Sequence, residues 1–289
     1  MKDGSIVFSV LGTRGSGPAS GENQKEYGLA TSCYVVETKD ALIYLDAGSG
    51  MASADADRVR EGKQVVVLLT HPHTDHLLGL PFLPALHDPG ETVTLMAAKR
   101  GDMGAKQQVD RLYSSPLWPC LMEDLPAKLV YKDLVMSEKT ETFQIGDVTV
   151  EYMEGNHPGG STVYALSYEG KRLVYATDFE HLDLLPEMQP NKAPVACGDT
   201  AWKRLVEFAK DADLILFDAP YTDAEYERKK GFGHSTTEKA VELQKVTSAG
   251  KVLISHYEVR KTDEELRELE KKYGNPQVLF TKQGMKIEL

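Results

Sequence analysis

Cysteine is scarce in this chain of 289 residues, which contains only Cys33, Cys120 and Cys197 and no Cys-x-x-Cys pair. An odd number of widely spaced cysteines gives no disulfide framework. We therefore expect reduced, buried thiols in a cytoplasmic protein. A chain of this length buries a full hydrophobic core, so its stability does not depend on disulfide bonds.

Long hydrophobic runs are also missing. No stretch approaches the roughly 18–20 apolar residues that a membrane-spanning helix needs, and the longest strand-like runs are Val65–Leu69 and Leu214–Phe217. Residues 1–11 have no continuous apolar segment and no small-residue cleavage site, so the sequence predicts no signal peptide. Because no repeat, low-complexity tract or Gly/Ser linker divides the chain, we expect one domain over residues 1–289.

Basic residues are outnumbered by acidic ones. The chain has 33 Lys and Arg against 44 Asp and Glu, which gives a formal net charge of −11. Proteins that bind long nucleic acid regardless of sequence use a Lys/Arg surface to release counterions. The charge balance therefore argues against that class of partner, although it leaves room for a small phosphate ester held by metal ions.

Short β-branched and aromatic runs between turn signals predict a strand-rich protein. The predicted strands are Ile6–Leu11, Ser32–Glu37, Ala41–Asp46, Val65–Thr70, Thr92–Met96, Lys128–Asp133, Val148–Met153, Thr162–Tyr168, Arg172–Thr177, Leu214–Phe217, Lys251–Ser255 and Gln277–Phe280. The predicted helices are Leu77–His87, Thr200–Lys210, Ser235–Ser248 and Thr262–Tyr273. Many strands with interleaved helices favour two packed sheets with helices outside them.

The segment Thr70-His71-Pro72-His73-Thr74-Asp75-His76 carries the clearest chemical signal. It follows an apolar strand, and in a turn at a strand end alternate side chains converge on one point. His71 and His73 can share one ion, while Asp75 and His76 reach a neighbouring one. Imidazole and carboxylate ligands suit Zn²⁺, Mn²⁺ or Fe, and the absence of cysteine ligands favours an open, catalytic site.

This H-x-H-x-D-H pattern resembles that of the metallo-β-lactamase-fold hydrolases. The family has a later His, a bridging Asp and a final His, each at the end of a strand. Here His157 follows residues 148–153, Asp178 ends 172–177 and His256 follows 251–255. The resemblance spans most of the chain and implies an α/β (α+β) protein with the layers of an αββα sandwich.

The resemblance also implies a dinuclear metal site, expected to hold Zn²⁺, with Mn²⁺ or Fe as alternatives. One ion would be bound by His71, His73 and His157, the second by Asp75, His76 and His256, with Asp178 and a hydroxide between them. Paired ions lower the pKa of the shared water and stabilise the attacking and leaving oxygens. Asp46 also matches the family, where it supports the metal site from behind; capping of the following helix is an alternative role, and the two are compatible.

The segment Gly231-Phe232-Gly233-His234-Ser235 resembles an element of the phosphodiesterase branch of this family, which includes tRNase Z. In that branch the corresponding His contacts the scissile phosphate and acts as a general acid. Asp218, after the strand Leu214–Phe217, has the place of the carboxylate that orients it. The resemblance thus implies His234 and Asp218 as catalytic residues beside Asp75.

The sequence differs from tRNase Z between Asp178 and His234. That stretch includes Pro186–Pro190 and shows no basic arm for clamping tRNA. The cysteine cluster that binds structural zinc in some cyclic-phosphate phosphodiesterases of this branch is missing as well. We therefore expect small, cyclic phosphodiesters such as 3′,5′- or 2′,3′-cyclic nucleotides as substrates, no long nucleic acid, no membrane and, on the resemblance, a homodimer.

Two segments keep alternative interpretations. Arg14, in the Gly-rich stretch 11–18, either meets a phosphate or ties down its own loop. In the apolar loop Leu112–Leu121, Tyr113 or Trp118 either stacks on a base, fills a dimer contact or packs onto the core.

Three other functions remain open at this point. The first is hydrolysis of thioesters, lactones or β-lactams at the same dinuclear metal site. The second, within the phosphodiesterase branch, is tRNA 3′-end processing. A non-enzymatic protein that only sequesters a ligand is the third.

Overall fold

The computed structural model describes residues 4–59, 62–183 and 201–289. Within these residues, one seven-stranded sheet has the order β14-β1-β2-β3-β4-β5-β6. Its strands are β1 Val7–Gly12, β2 Cys33–Glu37, β3 Ala41–Leu45, β4 Gln64–Leu69, β5 Thr92–Ala98, β6 Lys128–Leu134 and β14 Lys286–Glu288. The first three pairings, from β14 to β3, are antiparallel and the last three are parallel.

The second seven-stranded sheet has the order β13-β12-β11-β10-β9-β8-β7. Its strands are β7 Glu141–Ile145, β8 Val148–Gly155, β9 Ser161–Tyr168, β10 Lys171–Ala176, β11 Leu214–Asp218, β12 Lys251–Ser255 and β13 Val278–Phe280. The pairings from β7 to β10 are antiparallel, and those from β10 to β13 are parallel.

The two sheets bury one face against each other. Phe8, Ile43 and Leu68 of the first sheet belong to the same buried cluster as Leu166 and Leu216 of the second. Each sheet has a further apolar cluster on its outer face, covered by helices and short helical turns. The layers are therefore those of an αββα sandwich, as predicted.

Helices connect the strands and cover the outer faces. They are α1 Ala56–Val59, α2 Thr74–Leu77, α3 Ala105–Leu112, α4 Ala201–Phe208, α5 Asp223–Tyr226, α6 Thr237–Thr247 and α7 Asp263–Tyr273. Short 3₁₀ turns are Glu22–Gln24, Ser49–Ser53, Leu80–Phe82, Pro84–His87 and Met122–Asp124. In the described part of the chain, no helix combines the length and apolarity needed to cross a membrane.

The predicted helix Leu77–His87 is wrong. The chain there forms the end of α2 and two separate 3₁₀ turns. Pro81 and Pro84 each lack a backbone N–H, and a proline ring disfavours helical geometry in the residue before it, so a continuous helix cannot form across them. The apolar spacing of this stretch comes instead from packing of both turns under the first sheet.

Other boundaries differ in smaller ways. Helix α6 begins at Thr237, two residues later than predicted, because Thr236 is its N-cap and accepts a hydrogen bond from the N–H of Lys239. The hydroxyl of Ser235 instead donates to the carbonyl of Phe179. The predicted start at Thr200, the segment Pro186–Pro190 and Cys197 lie outside the described residues. Strands β7 and β14 and helix α3 were not predicted, since they are short or mostly polar.

Candidate active site

The segment after β4 supplies four candidate ligands. His71 and His73 lie in the loop, and α2 carries Asp75 and His76. The side chain of His76 is fully buried, while His73 is exposed. The remaining candidates follow separate strands of the second sheet: His157 follows β8, Asp178 follows β10 and His256 follows β12.

The first cluster brings together His71, His73, His157 and Asp178. Nδ1 of His73 lies 2.8 Å from Nε2 of His71 and 3.2 Å from Nε2 of His157. Oδ2 of Asp178 lies 3.5 Å from His71 Nε2 and 3.6 Å from His157 Nε2. Three nitrogens and one oxygen thus face a common centre.

The second cluster is formed by Asp75, His76, His256 and the other oxygen of Asp178. Oδ1 of Asp178 lies 3.2 Å from Nε2 of both His76 and His256. Oδ2 of Asp75 lies 3.3 Å and 3.4 Å from the same two nitrogens. Asp178 therefore faces one cluster with each carboxylate oxygen, which is the placement expected of a bridging residue.

These separations fit a metal ion. In a tetrahedral site with ligands about 2.0–2.1 Å from zinc, neighbouring ligand atoms lie about 3.3 Å apart, close to the distances in both clusters. Buried Nε2 of His76 has no hydrogen-bond partner despite its two carboxylate neighbours. A cation at these centres would satisfy that nitrogen, and the ligand assignment stays a prediction.

The protein holds the far nitrogens of three imidazoles, those of His71, His157 and His76. His71 Nδ1 donates to Thr70 Oγ1 at 2.9 Å, and His157 Nδ1 donates to the carbonyl of Gly233 at 2.8 Å. His76 Nδ1 donates to Oδ2 of Asp46 at 2.7 Å. Such hydrogen bonds fix the tautomer and leave Nε2 of each ring available to a metal.

Asp46 acts behind the second cluster. Besides His76, it accepts hydrogen bonds from the N–H of Thr70 and the hydroxyl of Tyr175, both at 2.7 Å. The short helical turn that follows has Gly48 at its N-cap. The structure therefore supports the role behind the metal site and not helix capping.

Burial and charge together tune the ionisable groups. Burial lowers the pKa of His71 well below its usual range, that of His157 to about 3 and that of His256 to about 4, so these rings are neutral at pH 7. Burial opposes ionisation of Asp178, yet His256, His76 and His71 hold its pKa well below the usual range. Neutral His71, His157 and His256 beside an ionised Asp178 are the states that bind divalent cations. His76 differs: burial opposes its charge, but Asp178, Asp75 and Asp46 outweigh burial and raise its pKa well above the usual range, so this ring must lose a proton when a cation binds.

His234 and Asp218 form a pair beside the clusters. His234 Nδ1 donates to Asp218 Oδ2 at 2.9 Å, and its ring centre lies 5.0 Å from that of His256 and 5.4 Å from that of His157. The other oxygen of Asp218 accepts from the N–H of Phe179, so both of its oxygens have partners within the protein. Burial opposes charge on His234, but Asp178 and Asp218 outweigh it and raise its pKa to about 9.

Three site residues have left-handed backbone conformations. The φ angles of Asp46, Asp178 and His256 are 60°, 51° and 62°. Asp46 and His256 directly follow β3 and β12, and Asp178 lies two residues after the end of β10. This conformation is uncommon for residues other than glycine and is tolerated where the surrounding structure holds it. It turns the chain sharply at the sheet edge, which places these side chains at the clusters.

The Gly-rich loop closes over the second cluster. The N–H of Ser16 donates to Asp75 Oδ2 at 2.7 Å, and a Cβ added to Gly15 would lie 2.5 Å from the ring of His256. Arg14 is fully buried and donates to the carbonyls of Gly28 and Lys261 at 2.7 Å. Arg14 therefore ties down its loop, and the alternative contact with a phosphate does not fit. Sequence reasoning missed the contacts of Gly15 and Ser16, although the glycines were a signal of close packing.

The loop after α3 packs onto the core. Tyr113 is buried, its hydroxyl donates to the carbonyl of Leu77 at 2.7 Å, and Trp118 packs edge-on against it at 5.2 Å between ring centres. Of the predicted alternatives for this loop, the structure supports core packing for Tyr113. Leu117, between them, is exposed.

Comparison with known proteins agrees with this geometry. Residues 27–218 match the metallo-beta-lactamase superfamily. The chain belongs to this superfamily. It is a metallo-beta-lactamase-fold hydrolase whose His and Asp clusters form a candidate metal site. The recognition of the family and the fold class predicted from the sequence are confirmed.

The proteins that this chain is similar to include ribonucleases and a diphosphatase. A ribonuclease Z from Nitrosopumilus maritimus is 23% identical over 98% of this chain and 99% of its own length. Human tRNase Z, short form, is 17% identical with a TM-score of 0.67, over 97% of this chain and 98% of its own. A diphosphatase from the PhnP family is 16% identical with a TM-score of 0.67, over 98% of each chain. These likenesses fit the phosphodiesterase branch, and the first two weigh against the expectation that long nucleic acid is excluded.

Proposed function

We propose that this protein is a dinuclear metal-dependent phosphodiesterase that hydrolyses small phosphodiesters, cyclic nucleotides above all. The pair His234–Asp218 beside two ligand clusters is the observation that carries this proposal. Hydrolysis of a thioester, lactone or β-lactam on the same metals does not require that pair. The family relatives named for phosphodiester cleavage support the same reaction class.

In this reaction, His234 protonates the leaving oxygen. Its Nδ1 is engaged by Asp218, so Nε2 is the atom that delivers the proton. The raised pKa keeps the imidazole protonated at neutral pH, as a general acid requires. Asp218 holds the ring in position and stabilises its charge.

His71, His73 and His157 would hold one divalent ion, and Asp75, His76 and His256 the other, with Asp178 between. Two divalent ions bound there, Zn²⁺ by first expectation, would lower the pKa of a water molecule and offset the charge on the phosphate oxygens. In the second cluster, the N–H of Ser16 keeps the carboxylate of Asp75 in place. The carboxylate of Asp46 does the same for the imidazole of His76. The net charge of −11 makes such local positive charge necessary for binding an anionic substrate.

Cleavage of RNA is the second candidate. It is favoured by the relatives named ribonuclease Z and by a short basic segment, Arg228-Lys229-Lys230, four residues before His234. Phe232 in the same loop is exposed, and the Lys229 ammonium lies 5.2 Å from its ring centre. A cationic and aromatic rim of this kind suits stacking and phosphate contacts of a single strand.

The deciding experiment offers metal-loaded protein both substrate classes. Cyclic nucleotides of the 2′,3′ and 3′,5′ types, bis-p-nitrophenyl phosphate and a precursor tRNA with a 3′ trailer are incubated beside S-lactoylglutathione, an acyl-homoserine lactone and nitrocefin. We expect the highest kcat/KM with a cyclic nucleotide. Preferred cleavage of the precursor tRNA would establish the second candidate, preferred cleavage of the non-phosphate substrates would refute the phosphodiesterase, and ligand bound but recovered intact would indicate sequestration.

Three further expectations belong to the same proposal. We propose that residues 1–289 form one hydrolase domain, that the protein is cytoplasmic and that two copies associate. Sedimentation equilibrium of the full chain tests the dimer, and a mass equal to that of a single chain would contradict it.

A further inference from the structure

Glu180 is a buried carboxylate that belongs to neither ligand cluster. It lies two residues after Asp178, and its side chain is 1% exposed. Oε1 accepts hydrogen bonds from the hydroxyl of Tyr226 and from the N–H of Gly231 at 2.8 Å, and Oε2 accepts from the N–H of Gly233 at 2.7 Å. All three donors lie between β11 and α6, in the stretch that leads to His234.

Gly233 connects this carboxylate to both halves of the site. Its carbonyl accepts the hydrogen bond from His157 Nδ1, and its N–H bonds to Glu180. Its φ is +91°, and an added Cβ would lie 2.0 Å from His157 Nδ1. The backbone position of Gly233 therefore determines both the orientation of the His157 ring and the position of the next residue, His234.

The backbone of Glu180 is held on the opposite side. Its N–H donates to the carbonyl of Asn156 at 2.8 Å, and its carbonyl accepts from Asn156 Nδ2 at 2.6 Å. Asn156 directly precedes His157. The backbone of Glu180 thus binds the strand end that carries His157, and its side chain binds the loop that carries His234.

We infer that Glu180 is a positioning residue that holds His157 and His234 at a fixed separation, so that the metal site and the proton donor act on one phosphodiester. This inference rests on the proposed phosphodiesterase function. Both oxygens of the Glu180 side chain accept hydrogen bonds, and the three groups facing them are donors. In Glu180→Gln an NH₂ group replaces one oxygen, so a donor faces a buried N–H and the loop must shift.

The test uses the zinc-loaded full-length enzyme and two phosphodiesters that differ in their leaving groups. Bis-p-nitrophenyl phosphate releases an oxygen that needs little protonation, whereas the ribose oxygen of a 2′,3′-cyclic nucleotide needs a proton. Because a misplaced His234 harms only the second reaction directly, we expect Glu180→Gln to reduce kcat for the cyclic nucleotide about tenfold more than for the aryl ester. A purely structural role would reduce both alike.

A second measurement does not depend on turnover. Titration of the metal-free protein with Co²⁺, followed by visible absorption, reports on ligand geometry, and we expect the affinity of one of two sites to fall about tenfold in Glu180→Gln. Glu37→Gln is the matched control, because Glu37 is also a buried carboxylate and is ion-paired to Lys63 at 2.6 Å. It lies at the end of the β2–β3 hairpin opposite to Asp46, and therefore away from the ligand clusters.

The outcomes separate this inference from the proposed function. If Glu180→Gln and the control share the wild-type kcat ratio and the wild-type cobalt affinity, the inference is overturned. If the wild-type enzyme cleaves no phosphodiester, the proposed function fails, and the cobalt titration alone decides whether Glu180 positions His157. Should Glu180→Gln not fold, Tyr226→Phe removes one of the three donors: a smaller change in the same direction supports the inference, and wild-type values overturn it.

Discussion

The two sheets share one pattern of strand pairing, yet they contribute to the site in different ways. Each has three antiparallel pairings followed by three parallel ones. The first sheet supplies His71, His73, Asp75 and His76 from a single segment after β4. The second supplies its residues one at a time: His157, Asp178 and His256 follow β8, β10 and β12, Asp218 is the last residue of β11, and His234 precedes α6. A contiguous segment acts as one unit, whereas scattered residues can carry separate roles.

The register of the second sheet brings its scattered residues together. Ala176 pairs with Phe217, and Asp218 pairs with Ser255. Asp178, Asp218 and His256 therefore lie side by side at the carboxyl ends of three adjacent parallel strands. Carboxyl ends of neighbouring parallel strands are where open α/β sheets commonly form their sites. Substitution of one of these residues should therefore remove its own role in the site and leave the roles of the others intact.

Asp178 is the exception, and its loss should have the largest effect. Since each of its oxygens faces a different cluster, we expect Asp178→Ala to lower the content of bound zinc from two ions per chain to fewer than one. Activity toward bis-p-nitrophenyl phosphate should fall by more than the about 10²–10⁴-fold expected for loss of one general acid. Metal analysis after gel filtration, with circular dichroism as the folding control, checks this; two retained ions would contradict the bridging role.

His234→Ala should remove one role without touching the metals. We expect about a 10²–10⁴-fold lower kcat for a cyclic nucleotide, with the zinc content unchanged, because His234 contacts Asp218 and its distance to Asp178 is 4.0 Å. Steady-state kinetics and metal analysis on the same preparation test it. Unchanged turnover would exclude His234 as the acid, and lost zinc would make it a ligand.

Asp218→Asn should change the pH dependence. As an acid, His234 is active while protonated, so wild-type activity declines as the pH rises through its raised pKa, about 9. Without the carboxylate, burial lowers that pKa, and the alkaline limb of the kcat profile should move to lower pH by about one unit or more. A limb that stays in place would show that His234 does not control it.

The difference between the two regions also explains what the sequence could reveal. The unit 70–76 has a local signal. His157, Asp178 and His256 were predicted from the family resemblance, because each lies at the end of a strand that its sequence pattern made recognisable. The contacts of Gly15, Ser16 and Glu180 could not be predicted, since they join segments far apart in the chain through backbone groups that leave no mark on residue type. The prediction of helix Leu77–His87 was wrong although the sequence did hold the signal, because the apolar spacing was given more weight than the two prolines.

Tyr164→Phe should have the smallest effect and tests how the two regions are joined. The buried hydroxyl of Tyr164, on β9, donates at 2.7 Å to the carbonyl of Leu69, which ends β4 just before the ligand segment. We expect a loss of about 1 kcal/mol in the free energy of unfolding, seen as a lower urea midpoint at an unchanged m-value. Tyr152→Phe is the matched control, because its hydroxyl donates at 3.0 Å to the carbonyl of Val135 in a less buried setting. Because the Tyr164 hydrogen bond joins the two sheets in the buried interior, its removal should lower the free energy of unfolding more than the control substitution does. An equal or smaller loss would show that this hydrogen bond does not hold the ligand segment of the first sheet against the second sheet.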